Sequence, residues 1–195
     1  MSYQEISRAV EQYITKMFDD HPNKNLVYHN IVHTRNVVSR TIEIASFYKV
    51  DEESLFILQT AAWFHDTGYI FRGPDNHEQE GINIMELFVQ RYNLAKEVIS
   101  RIAQIIMATK INAIPVTLPE MIICDADTYH FGTTEFKRTD ELVKEEIELR
   151  TGLILVDWIK HTITMLQNHR FYTSYCAEKL EKGKLQNIRW LESLL

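Results

Sequence analysis

The sequence predicts an all-α, single-domain helical bundle on three observations. Apolar residues recur at steps of three and four along most of the chain, helix-start signals precede several of these stretches, and no convincing period-two strand is present. Only six Gly and four Pro interrupt 195 residues, with no linker, repeat or low-complexity tract. A 45% hydrophobic content is enough to bury a sizeable core, so one domain spanning residues 1–195 is expected.

Each element follows from its own signals. Ser2 with Glu5 reads as a capping box for a helix carrying Ile6, Val10, Tyr13, Ile14, Met17 and Phe18, ended by the loop through His21, Pro22 and Asn23. The next helix starts near His33 and continues its face through Val37, Thr41, Ala45 and Tyr48, which points His33 inward. Asp51 opens a third, amphipathic helix with Leu55, Leu58, Ala62 and His65 on one face, and Gly68 can close it. Asp75 with Glu78 forms a second candidate capping box, before Ile82, Met85, Val89 and Tyr92. A helix through Val98, Ile102, Ile105 and Ile106 follows. Thr117-Leu118-Pro119-Glu120 starts another, with Ile123, Asp127 and His130 on one inward face. Asp125 is rotated roughly 200° from Asp127 and does not share that face. Helices over residues 134–150 and 153–169 and from 173 to the C-terminus complete the chain, the last with a weak point at Gly183. Trp63, Trp158 and Trp190 read as core residues.

Composition narrows the function. A net charge of −6 argues against a nucleic-acid surface. The longest apolar runs, such as Val98 to Ala108, fall short of a membrane span. Cys124 and Cys176 form no C-x-x-C pair, and the N-terminus is amphipathic where a signal peptide would be apolar, so a cytoplasmic setting is expected.

The chemistry concentrates in an ordered set: Tyr28-His29-Asn30-Ile31-Val32-His33-Thr34, then His65-Asp66, then Asp125-Ala126-Asp127. Two imidazoles and two carboxylates make a first shell for one divalent ion, with Mn, Fe, Ni, Zn or Mg all compatible. The absence of thiolates and the mixed donors leave coordination positions for water, which is the arrangement of a catalytic site. The competing reading is a buried His–Asp hydrogen bond in a helical core.

These residues resemble the HD superfamily of metal-dependent phosphohydrolases, all-helical proteins defined by a His, His-Asp, Asp metal site. The resemblance is to a small bacterial single-domain branch, carried by YHNIVHT at 28–34, AAWFHDTGY at 61–69, HEQEG at 77–81, MATK at 107–110 and DADTYHFG at 125–132. The C-terminal stretch FYTSYCAEKLEKGKLQNI is also similar. Core motifs thus span about residues 26–135, with the C-terminal helices completing the bundle. The resemblance implies that His33, His65, Asp66 and Asp127 hold the metal, Asp127 being preferred to Asp125 by the polar-apolar pair that follows it.

Thr67-Gly68-Tyr69-Ile70 stands where stringent-response hydrolases carry Glu-Asp. Only His77 lies between the dipeptide and the last aspartate, which favours one ion over two. The expected activity is hydrolysis of a small phosphate ester, a nucleotide among the candidates, by a metal-activated water, with Asp66 or Glu78 taking the proton. A di-iron oxygenase and a non-catalytic nucleotide-binding sensor are the alternatives, and a homo-oligomer is left open.

Further residues carry two readings each. Glu78 caps its helix or acts as a general base. Lys110 complements a helix C-terminus or contacts phosphate. His29 and Asn30 can reach substrate from the loop before His33, and His130 lies one turn beyond Asp127. Asp125 reads as a solvated or helix-orienting carboxylate, and His161 and His169 as packing or surface residues.

Overall fold

The structure is a computed structural model that describes residues 1–195. The helices are α1 (Tyr3–Asp20), α2 (Ile31–Phe47), α3 (Glu52–Phe64), α4 (Tyr69–Arg72), α5 (His77–Val89), α6 (Lys96–Ala108), α7 (Leu118–Asp127), α8 (Phe136–Thr151), α9 (Trp158–Asn168) and α10 (Ser174–Glu192). Single 3-10 turns occupy Gln90–Tyr92 and Tyr129–Gly132, and no strand forms.

Helix starts follow the polar residues that satisfy otherwise unpaired N–H groups. The Glu5 carboxylate accepts from the Ser2 amide at 2.7 Å while the Ser2 hydroxyl accepts from the Glu5 amide at 3.3 Å. Asp51 accepts from the Ser54 amide at 2.7 Å, and Glu120 accepts from the amides of Val116 and Thr117. Each such cap stabilises its helix by about 1 kcal/mol.

Helix α3 corrects the amphipathic reading. It packs against α1, α2, α5, α6 and α7, and Phe56, Ile57, Leu58, Thr60, Ala61, Ala62, Trp63 and Phe64 are all buried. A helix surrounded on every side needs no polar face. Its C-terminal end therefore delivers His65 and Asp66 into the interior, where both are buried.

The chain then turns sharply. Tyr69 donates its amide to the Asp66 carbonyl, and a Cβ at Gly68 would stand 2.0 Å from the His77 carbonyl oxygen. Gly68 thus opens α4 and, by lacking a side chain, lets the start of α5 press against the His65–Asp66 turn. The expected Asp75–Glu78 capping box does not form. Asn76 precedes α5 in a left-handed conformation with no side-chain cap bond, and Glu78 is buried. The helix begins one residue later than that box requires, so Asn76 and not Asp75 precedes it and Glu78 sits second in its first turn.

Two apolar clusters result. The larger joins α1, α2, α3, α5, α6 and α7 with Phe171, Cys176 and Leu180, and the smaller comprises Phe136, Ile163, Leu166, Ile188 and Leu191 from α8, α9 and α10. Phe131, in the turn after α7, packs against both. There the backbone of that turn meets α10 directly: a Cβ at Gly183 would lie 1.9 Å from the Gly132 carbonyl oxygen. Gly183 is consequently a contact residue in an unbroken helix, not the weak point expected. Helix α9 begins at Trp158, not 153, because Gly152 ends α8 with a positive φ of 69° and the next residues run exposed. Trp63 is buried, but Trp158 and Trp190 are half-buried, and Trp158 donates its indole N–H to Asp140 at 3.0 Å. No helix is long and apolar enough to cross a membrane.

Candidate metal centre

Three elements converge on one point. Asn30 caps α2, its side-chain oxygen accepting from the amides of Val32 and His33 and its side-chain nitrogen donating to Val27 at 2.8 Å. This fixes His33 in the first turn of α2, facing the end of α3. His65 donates Nδ1–H to the Ala62 carbonyl at 2.9 Å, which leaves Nε2 with its lone pair free. Asp127 closes the group from the last residue of α7.

His33 Nε2 lies 3.1 Å from Asp66 Oδ2 and 3.1 Å from Asp127 Oδ1, and His65 Nε2 lies 3.1 and 3.6 Å from the same two oxygens. One donor atom from each of the four residues falls within 4.8 Å of the others. The contacts are not aligned as hydrogen bonds, and both Nε2 atoms are buried without a partner. Nitrogen and oxygen bonds to a transition ion of about 2.1 Å place neighbouring donors about 3 Å apart, so the spacing fits a divalent cation.

The electrostatics fit it too. Burial opposes the charged form of His33, but the carboxylates of Asp127 and Asp66 outweigh it and raise the imidazole to about 9. His65 is raised in the same way. Burial also opposes ionisation of Asp66 and Asp127, yet the facing imidazoles hold both carboxyls well below the usual range. The group as a whole thus favours positive charge between the two carboxylates, which a dication would supply.

The surroundings hold residues the sequence did not flag. Glu146 of α8, fully buried, accepts from the amides of Tyr28 and His29 and pairs with the His29 ring. Burial raises its carboxyl, but His29 and the two amides lower it by more. His29 stacks on Tyr69 with ring centroids 3.9 Å apart. His77 donates Nδ1–H to the Pro74 carbonyl at 3.0 Å and turns Nε2 toward Asp66 Oδ1 at 3.6 Å and Glu78 Oε1 at 3.5 Å.

A cavity of about 310 Å³ adjoins the group, with His33, Asp127, Tyr28 and His130 among its walls. Burial, aided by the charge on His33, pushes His130 down to about 3. Asn30 lines this cavity, but its polar atoms are occupied in capping α2. His29 is anchored behind it, and Lys110 is exposed after α6 and does not line it. Tyr28, Tyr69 and His77 lie within the sequence motifs already read. Glu146 gave no signal, since a mid-helix carboxylate reads as a solvated face.

Asp125 is fully buried and turned away. It accepts from the amides of Tyr172 and Thr173, both at 2.8 Å, and from the Thr173 hydroxyl at 2.6 Å, tying α7 to the start of α10. The helix-orienting role holds and the solvated one does not. Asp125→Asn is expected to lower stability by about 1–3 kcal/mol with metal retained, because an amide N–H then faces donors. Asp127→Asn is expected to lose metal with little change in the metal-free melting temperature. Metal content and melting of the two variants check this, and equal metal loss would contradict it.

The HD domain family model matches residues 30–132, and the chain belongs to that family. Solved structures share the fold over nearly the whole chain. A predicted HD superfamily hydrolase from an uncultured Thermotogales bacterium is 17% identical, with a TM-score of 0.65 and coverage of 100% of this chain and 97% of that one. Bacillus subtilis YpgQ in complex with ADP is 19% identical, with a TM-score of 0.66 and coverage of 100% and 97%. The Lin1889 protein of Listeria innocua is 19% identical, with a TM-score of 0.66 and coverage of 98% and 96%. No curated protein matches.

Proposed function

We propose that the chain is a metal-dependent phosphohydrolase that cleaves a small phosphate ester. The observation that carries the reading is the pair of buried, partnerless imidazole nitrogens beside two carboxylates, next to a cavity. His33, His65, Asp66 and Asp127 would hold one divalent ion of the Mn, Fe, Ni, Zn or Mg class. Such an ion polarises a phosphoryl oxygen and makes water more acidic.

The remaining work falls to the chain. Asp66 uses Oδ2 toward the two imidazoles and turns Oδ1 toward His77, beyond which lies Glu78. This row gives the proton of the attacking water an acceptor at Asp66 and a buried carboxylate, Glu78, behind it. Glu78→Gln is expected to lower kcat about 10²–10⁴-fold with metal retained. Full kcat with earlier melting would assign Glu78 to packing alone.

The ADP bound by YpgQ supports including nucleoside phosphates among the candidates. The test is phosphate release from nucleotides and phosphomonoesters by protein loaded with each ion in turn. Metal-dependent release supports the proposal. Metal-dependent binding with ligand recovered unchanged would make the chain a sensor, and oxygen uptake with two irons bound would make it an oxygenase.

A further inference from the structure

The cavity beside the four ligands carries a second charged feature that hydrolysis of a simple phosphate does not require. Arg40 lines it, seven positions after His33 on α2. Seven residues are two helical turns, so both side chains share a face and stand about 10 Å apart along the axis.

Arg40 is held from two sides. Its Nη1 donates to Glu43 Oε2 at 2.6 Å, and its guanidinium carbon sits 4.4 Å from the centre of the Tyr129 ring. Glu43 is itself fixed, because its other oxygen accepts from Tyr129, Tyr175 and Lys179 at 2.7, 2.6 and 2.8 Å. Arg40 and Glu43 form a partly exposed i,i+3 ion pair, which alone would be worth little and would leave the guanidinium mobile. Here three elements (α2, the turn after α7 and α10) meet in the network that orients it.

A guanidinium carries five N–H donors, and only Nη1 of Arg40 has a protein acceptor, which leaves Nε and Nη2 free for a planar anion. The wall of this cavity is partly apolar, with Val37 and Tyr28 among its residues. In a chain of net charge −6, Arg40 and Arg138 give this cavity two cationic side chains beside the carboxylates of Asp127 and Glu135.

We propose that Arg40, positioned by Glu43 and Tyr129, receives a second anionic group of the substrate, a phosphate or a carboxylate, remote from the phosphate held at His33, His65, Asp66 and Asp127. The substrate class is then an organic phosphate with two negative ends and an apolar or aromatic middle. This rests on the phosphohydrolase reading for the first phosphate but is tested by binding, not turnover.

The experiment is calorimetry of manganese-loaded protein with hexylphosphonate, a hexyl-chain bisphosphonate with one phosphonate at each end, and the matching phosphonate-carboxylate. Wild type is expected to bind the two-ended ligands roughly 10- to 100-fold more tightly than hexylphosphonate, the range of one to two charge-assisted contacts. Arg40→Met should bring that ratio close to one, Arg40→Lys should keep part of it, and Glu43→Gln should lower it, which loss of packing alone would not do.

The better of the two-ended ligands identifies the second group. A ratio near one in wild type, or one that survives Arg40→Met, overturns the proposal. An Arg40-dependent ratio in a protein that hydrolyses nothing leaves this inference standing and removes the phosphohydrolase reading. Turnover without such a ratio does the reverse.

Discussion

Replacing His65 or Asp66 with Ala is expected to strip the metal and to lower turnover by more than about 100-fold, since losing even outer partners of a ligand costs 10–100-fold. Both residues are buried at the end of the central helix, so no neighbouring water or side chain can readily fill the gap. A metal held there would also link to folding. An ion bound only by the native state adds to stability, so chelator should lower the melting temperature of wild type and leave the variants unmoved. Elemental analysis of purified protein and melting with and without chelator read both effects. Full metal occupancy in either variant would contradict the ligand assignment.

Gly183→Ala is expected to destabilise the fold by about 3 kcal/mol or more, at the upper end of overpacking effects. Local and tertiary physics disagree in sign here. In an exposed helix interior the same change gains roughly 0.5–1 kcal/mol from backbone entropy. Packing wins because the added methyl would meet a backbone carbonyl, that of Gly132, at 1.9 Å, and a backbone cannot rotate away as a side chain can. Denaturant unfolding reads the sign, and a variant as stable as wild type would mean that α10 does not press on the turn after α7.

That disagreement marks what the sequence could and could not show. Caps at Ser2, Asp51 and Glu120 were legible because a polar side chain satisfying nearby amides is a local event. That Asp127 and Asp125 leave α7 on different sides was legible because helical rotation is fixed within a few residues, although Asp125 is the more deeply buried of the two. The ordered His, His-Asp and Asp pointed to the four residues whose donor atoms the structure gathers within 4.8 Å of one another.

Features that depend on distant chain were not legible. Helix α3 reads as amphipathic only until its five neighbours are known to surround it. Asp75 and Glu78 have the spacing of a capping box, but α5 begins one residue later, at His77, where its backbone meets the Gly68 turn. Glu146, Glu43 and Arg40 look like ordinary charges on helix surfaces, yet Glu146 is bonded to residues more than a hundred positions away and Glu43 ties together three elements. Lys110 was drawn toward phosphate by its motif, and the fold leaves it exposed outside the cavity.

The central claim is that His33, His65, Asp66 and Asp127 together hold one divalent ion. Anomalous diffraction from crystals of manganese-loaded protein tests it most directly. The account predicts a single peak per chain within bonding distance of His33 Nε2, His65 Nε2 and carboxylate oxygens of Asp66 and Asp127. A peak elsewhere, or two peaks sharing these ligands, would contradict it.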